Sequence, residues 1–194
     1  MAVMARPRTF DEDSAVEAAM RAFWRAGYEA TSTQDLCAAT GLGRSSVYNT
    51  FAGKHDLFRR ALRRYMDQRD AALAELMDGE RPIREKVATV LGWAVAPPDP
   101  DDPDGCLVVN TMIELAPRDP EVAGMLRRDN ELRVRIMRAA FEDARARGEL
   151  APDKEPLALA RFVTAAVSGL RVLARGGADR ATLESVARTA LDVL

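Results

Sequence analysis

The chain has 194 residues, 47% of them apolar and 30% charged, with a formal net charge of −2. That is enough apolar content for a packed core, and too small a charge imbalance to announce a nucleic-acid partner alone. His55 as the one histidine rules out a histidine-rich metal site, and Cys37 and Cys106 as the two cysteines give no disulfide framework or metal-ligand spacing.

Nearly every segment has helical period, and no alternating strand pattern stands out. In the first predicted helix, Asp13 to Ala26, Val16, Ala19, Met20 and Phe23 recur at three- and four-residue steps, and Gly27 ends it. Thr31, Ser32 and Thr33 offer N-caps for a second helix running to about Thr40. Gly41 and Gly43 make a turn, a third helix spans about Arg44 to Phe51, and Gly53 interrupts before a fourth, about Lys54 to Met77. Arg59, Arg60, Arg63 and Arg64 lie mainly on the solvated side of that helix, and solvation is their simplest role. A fifth helix runs from Pro82 to about Ala96, followed by a Pro/Asp-rich loop over 97–105 that cannot stay helical. Cys106 to Ala116 is short and very apolar. Asp119 and Pro120 open a long helix to about Gly148, and Leu157 to Ala174 and Thr182 to Leu194 complete the chain. No continuous apolar run spans a bilayer and no apolar signal region follows Arg6 and Arg8, so a cytoplasmic protein with no membrane partner is expected.

The second and third helices read as a helix-turn-helix, whose second helix enters the DNA major groove. Val47 and Phe51 fall on one inward face, leaving Arg44, Ser45, Ser46, Tyr48, Asn49 and Thr50 over the exposed faces. Arginine can bond guanine bidentately and asparagine adenine, while Ser, Thr and Tyr hydroxyls reach phosphates or base edges. Thr33 starts the preceding helix, where free N–H groups favour a phosphate, and Lys54 adds a further phosphate contact. Helix capping is the plain structural role for Thr33 and Ser45. Arg6 and Arg8 form an arm suited to the minor groove. Residues 1–70 carry 11 Lys+Arg against 9 Asp+Glu, and the rest 17 against 21, which agrees with a DNA-facing N-terminal part.

The run Ala18-Ala19-Met20-Arg21-Ala22-Phe23-Trp24-Arg25-Ala26-Gly27-Tyr28-Glu29-Ala30-Thr31-Ser32 carries more than a bare helix-turn-helix. With Asp35-Leu36, Gly41-Leu42-Gly43, Val47-Tyr48 and Phe51-Ala52-Gly53-Lys54-His55-Asp56-Leu57, it resembles the TetR family of bacterial transcriptional regulators. Family members often have Ala where Cys37 stands and Glu where His55 stands. The segment from Gly105 to Pro117 is similar to a subgroup of that family. The resemblance implies an all-α protomer of nine helices: a helix-turn-helix domain over 1–53 and a helical ligand-binding and dimerisation domain over 54–194. It implies no cofactor and no enzyme activity, a double-stranded DNA operator as partner, and a homodimer built by the last two helices as an intermolecular four-helix bundle. It also implies a pocket where a small-molecule effector binds and releases the DNA.

The residues support the dimer independently. Phe162, Val163, Ala166, Val167, Leu170 and Leu173 make a broad apolar face, with Ala165, Ser168 and Gly169 permitting close approach; Leu183, Val186, Ala187, Ala190, Leu191 and Leu194 make another. Intramolecular packing is the alternative cover. A two-fold dimer places its recognition helices about 34 Å apart and predicts a palindromic operator. For a small, largely apolar effector the pocket candidates are Met66, Trp93, Asn110, Met112, Ile113, Glu114, Met137, Phe141 and Phe162. Met and aromatic residues at this spacing also serve as ordinary core. Asn110 and Glu114, four apart in an apolar helix, need partners, which can be an effector, a backbone group or the dimer partner. The expected function is thus a repressor released by its effector. The alternative is a TetR-like activator or architectural regulator without one. No nucleophile–base pair or phosphate loop points to an enzyme, and Cys106 as a thiol sensor is a further expectation.

Overall fold

The computed structural model describes residues 11–97, 102–103 and 105–194; Arg6 and Arg8 lie outside the described residues. Regular structure among these is entirely helical, in nine helices: α1 (Glu12–Ala26), α2 (Thr33–Thr40), α3 (Arg44–Phe51), α4 (Lys54–Asp78), α5 (Ile83–Val95), α6 (Leu107–Glu114), α7 (Pro120–Ala146), α8 (Pro156–Arg175) and α9 (Arg180–Leu191). The last differs most from the sequence reading, because Asp179 accepts the Thr182 N–H at 2.7 Å and starts α9 earlier.

Local chemistry sets the boundaries. Ser32 and Asp35 form a reciprocal capping box on α2, with Ser32 N–H donating to Asp35 Oδ2 at 2.8 Å and Asp35 N–H to Ser32 Oγ at 3.1 Å. Ser32 is therefore the cap among the three hydroxyl residues expected there; Thr31 instead donates its hydroxyl to Gly27 O at 2.6 Å. Asp119 opens α7 by accepting the Glu121 and Val122 N–H groups at 3.0 Å, ahead of Pro120 in the first turn.

Two apolar cores result. The first gathers Phe23, Trp24, Leu36, Val47, Phe51, Phe58 and Tyr65 from α1–α4 together with Leu107, Val109, Val122 and Met125 from α6 and α7. In it Phe58 packs edge-on to Phe23 at 5.0 Å and to Tyr28 at 4.9 Å. The second joins the far halves of α4 and α7 to α5, α8 and α9, around Leu73, Leu91, Met137, Phe141, Val163 and Leu170. The boundary between the cores cuts across α4 and α7.

The basic row of α4 is tied down. Arg59 pairs with Glu121 at 2.5 Å, Arg60 with Asp56 at 3.0 Å and with Glu12, and Arg64 with Glu17 at 2.6 Å. Three of the four arginines expected to be merely solvated therefore fasten α4 to its neighbours. By length and composition alone α8 is apolar enough to cross a bilayer, which the sequence reading did not register. Its inner side is Leu159, Ala160, Val163, Val167 and Leu170, covered within the protomer.

Candidate nucleic-acid interface and cavity

The helix-turn-helix is held from behind. Leu36 of α2 and Val47 and Phe51 of α3 are buried in the first core, while Gly41 takes the left-handed conformation (φ 69°) that turns one helix into the next. Arg44, Ser45, Tyr48 and Asn49 remain exposed on the outer side of α3, and Ser46 is half-buried. Gly43 precedes α3 without any side-chain cap bond, so Ser45 does not cap it. The Arg44 guanidinium lies 5.9 Å from the centre of the Tyr48 ring. Hydrogen bonding to Thr33, and then to Arg44, lowers the Tyr48 phenol from its ordinary pKa. Arg44 and Tyr48 thus lie side by side on the outer face of α3.

Two expected contacts are placed differently. The Thr50 hydroxyl is buried and without a hydrogen-bond partner among the described residues, because position 50 turns back towards the core side of α3. Lys54 is half-buried; its ammonium sits 4.4 Å from the Tyr28 ring centre and donates to Glu29 O at 3.4 Å, so it fastens the α1–α2 connection.

That connection is gripped from the body of the protein. Glu114, at the end of α6, accepts the Tyr28 N–H on Oε2 at 3.0 Å and the Glu29 N–H on Oε1 at 2.9 Å. Beside it His55 Nε2 meets Asp119 Oδ2 at 2.6 Å. Burial pushes Asp119 up, but the Val122 N–H, His55 and the Glu121 N–H outweigh it, and its pKa is lowered. Gly27 permits the grip: its φ of 85° suits glycine, and a Cβ there would lie 2.8 Å from Glu114 Oε2. Of the partners open to Glu114, it is the backbone of the α1–α2 connection that it holds, as a clamp between body and head. Its partners stand 86 and 85 residues away in sequence.

A cavity of about 360 Å³ lies between α4, α5, α6, α7 and α8. Of the expected ligand-binding residues it is lined by Trp93, Met112 and Met137. The others fall elsewhere. Met66 lies on a separate surface cleft, Phe141 is fully enclosed in the second core, Ile113 is 67% exposed and Phe162 43% exposed, and Asn110 is half-buried near Gly105. These apolar side chains share helical spacing with the cavity wall but point to other faces.

The polar part of the wall escaped sequence reading. Arg133 Nε donates to Asp70 at 2.8 Å and lies 3.5 Å from Asp129, whose side chain is only 3% exposed. Burial pushes the Asp129 carboxyl up to about 7, with the neighbouring Asp70 charge adding to the effect against Arg133. Its Oδ1 has no partner among the described residues. Arg69 and Arg171 also line the cavity. The one available signal was the placing of Asp70 and Asp129 on otherwise apolar helix faces. Cys106 lies in the same wall, where the Tyr65 hydroxyl donates to its sulfur at 3.6 Å.

The expected dimer residues divide into two sets. Val163, Val167, Leu170 and Leu183 are buried in the protomer's own core, so packing within the protomer accounts for them. Phe162, Leu173 and Val186 are exposed large apolar residues, with Ala166 and Leu191 half-buried beside them; Val172, outside the expected set, is exposed as well. α8 thus has a second apolar stripe, outside.

A chain whose described residues are helical, with a helix-turn-helix head presenting a polar α3, is a DNA-binding transcriptional regulator in class. The family model for bacterial regulatory proteins of the tetR family matches residues 15–61, and that for a tetracyclin repressor-like C-terminal domain matches residues 79–190. The chain belongs to the TetR family of bacterial transcriptional regulators. It is 34% identical to the HTH-type transcriptional repressor ComR of Escherichia coli (strain K12), over 96% of this chain and 90% of that protein. It is 31% identical to the HTH-type transcriptional regulator YezE of Bacillus subtilis (strain 168), over 98% and 100%. Its fold superposes with a TM-score of 0.86 on a cysteine-substituted form of the TetR family regulator CifR complexed with 26-bp double-strand operator DNA, at 34% identity over 97% and 98% of the two chains.

Proposed function

We propose that the protein is a cytoplasmic repressor that binds a palindromic operator as a homodimer and is released by a small-molecule effector in the cavity. The observation that carries this reading is the double role of α6. Val108, Val109 and Met112 line the cavity, and Glu114, at its end, clamps the Tyr28–Glu29 backbone of the head. A ligand that displaces α6 therefore acts on the connection entering the DNA-binding helices. Release requires that the ligand bind the displaced arrangement more tightly than the DNA-binding one. Arg44 and Asn49 make the base contacts, and Thr33, Ser45, Ser46 and Tyr48 the phosphate and sugar contacts. The exposed stripe on α8, from Phe162 through Gly169 to Leu173, joins Val186 and Leu191 of α9 as the two-fold interface.

The relative named a repressor supports the direction of control, and the neighbour bound to operator DNA supports the partner. A mobility-shift assay on DNA upstream of the protein's own gene tests the reading. A saturable shift at low salt, abolished by Arg44→Ala with Asn49→Ala, is expected. No shift with any palindromic fragment would overturn it.

A further inference from the structure

We propose that the cavity takes a small amphiphilic carboxylate, its apolar body against Trp93, Met112 and Met137 and its carboxylate on the Arg69 and Arg171 guanidiniums, in competition with Asp102. This rests on reading the cavity as the effector site and names the effector's chemistry.

Three arginines line the cavity, and they are not equivalent. Arg133 is already engaged by Asp70 at 2.8 Å and Asp129 at 3.5 Å. Arg69 and Arg171 line the inner cavity and also an outer cleft, which share Trp93 and Ala96, so the two guanidiniums stand at the junction where a ligand enters. Arg171 is half-buried and makes no ion pair among the described residues. Arg69 packs over the Tyr65 ring at 5.2 Å and the Trp24 ring at 5.7 Å. Its carboxylate neighbour, Asp102, is 3.9 Å away and more closely engaged by Arg21 at 3.0 Å.

Two cations at the mouth of the cavity, with no close carboxylate partner among the described residues, favour an anion, because a charge drawn partly out of water is stabilised by an opposite one. A guanidinium accepts a carboxylate through two parallel N–H···O bonds, which fixes orientation as well as charge. An amine would meet repulsion at this junction, and a neutral alcohol would leave the cations unanswered. The opposing carboxylate in the wall, Asp129, is offset by Arg133. The volume, about 360 Å³, lies at the small end of ligand pockets, suited to a compact acid.

Binding of butyrate, octanoate, decanoate and phenylacetate, with octanol and octylamine as controls, to the full-length protein tests this by tryptophan fluorescence, since Trp93 lines the site, and by thermal shift. At least one acid should bind saturably, and tenfold or more tighter than the alcohol and the amine. Arg171→Gln should weaken the acid tenfold or more and leave the alcohol unchanged. Asp102→Asn, at a half-buried carboxylate shared by Arg21 and Arg69, should tighten the acid by removing a competitor. Equal binding of octanol and octanoate, no binding of any acid at millimolar concentration, or acid binding unaffected by both substitutions would overturn the proposal. DNA release is read separately by anisotropy: an acid that binds through Arg171 without releasing DNA leaves the ligand chemistry standing and defeats the release reading.

Discussion

Glu114 concentrates the link between head and body in one carboxylate, accepting two backbone N–H groups of the α1–α2 connection. Charge-assisted bonds of this kind exceed neutral ones. Gly27 opposite has φ 85° and ψ 172°, a region almost confined to glycine. Gly27→Ala should therefore lower stability by about 1–3 kcal/mol in urea unfolding and weaken DNA binding, because the clamp must move as well. Asp129 offers a pH test. Its native pKa of about 7 lies above the ordinary carboxylate value of 3.8, so between those pH values the native state holds more protons than the unfolded state. Stability from this site is then greatest at low pH and falls as pH rises from about 4 to about 7. Asp129→Asn should flatten that slope, with melting temperature rising relative to the parent between pH 5 and pH 8. An unchanged slope would remove Asp129 from the account.

At the scale of elements, α3 and α8 each present a face that no other described residue covers. α3 shows Arg44, Ser45, Tyr48 and Asn49, and α8 shows Phe162, Val172 and Leu173. Arg44→Ala or Asn49→Ala should each cost about 1–3 kcal/mol of discrimination at one base pair, measured by competition between operator variants, with folding unaffected. Gly169→Glu, at an exposed point of the α8 stripe, should convert dimers to monomers in light scattering while the helical signal is retained. The existence and order of the helices were legible in the sequence because caps and periodicity are local: Asp119-Pro120 marks the start of α7 without any tertiary information. What covers an apolar face is not local. Val163 and Phe162 are adjacent and equally apolar in sequence, yet one is core and the other exposed. Glu114 shows the same limit, since a polar residue in an apolar helix announces that it has a partner but not that the partner is the Tyr28 backbone. Arg69 and Arg171 were missed as cavity residues because a single long cation on a helix reads as solvated surface, and Asp129 because its place on an apolar face does not say which space that face borders.

For the whole molecule, α4 and α7 run through both apolar cores, so the cavity wall and the head share two continuous helices. Trp24 adds to this coupling, donating its Nε1–H to Gly105 O at 3.2 Å across from α1 to the segment before α6. In a two-fold dimer the same movement in each protomer changes the separation of the two recognition helices, which major-groove binding fixes at about one DNA turn, roughly 34 Å. The most direct test of a ligand-released dimeric repressor is sedimentation of the full-length protein with a labelled palindromic fragment from upstream of its own gene. Protomers in multiples of two should be bound per site, and Gly169→Glu should abolish the complex. One protomer per site, or complexes as tight with Gly169→Glu as with the parent, would contradict it.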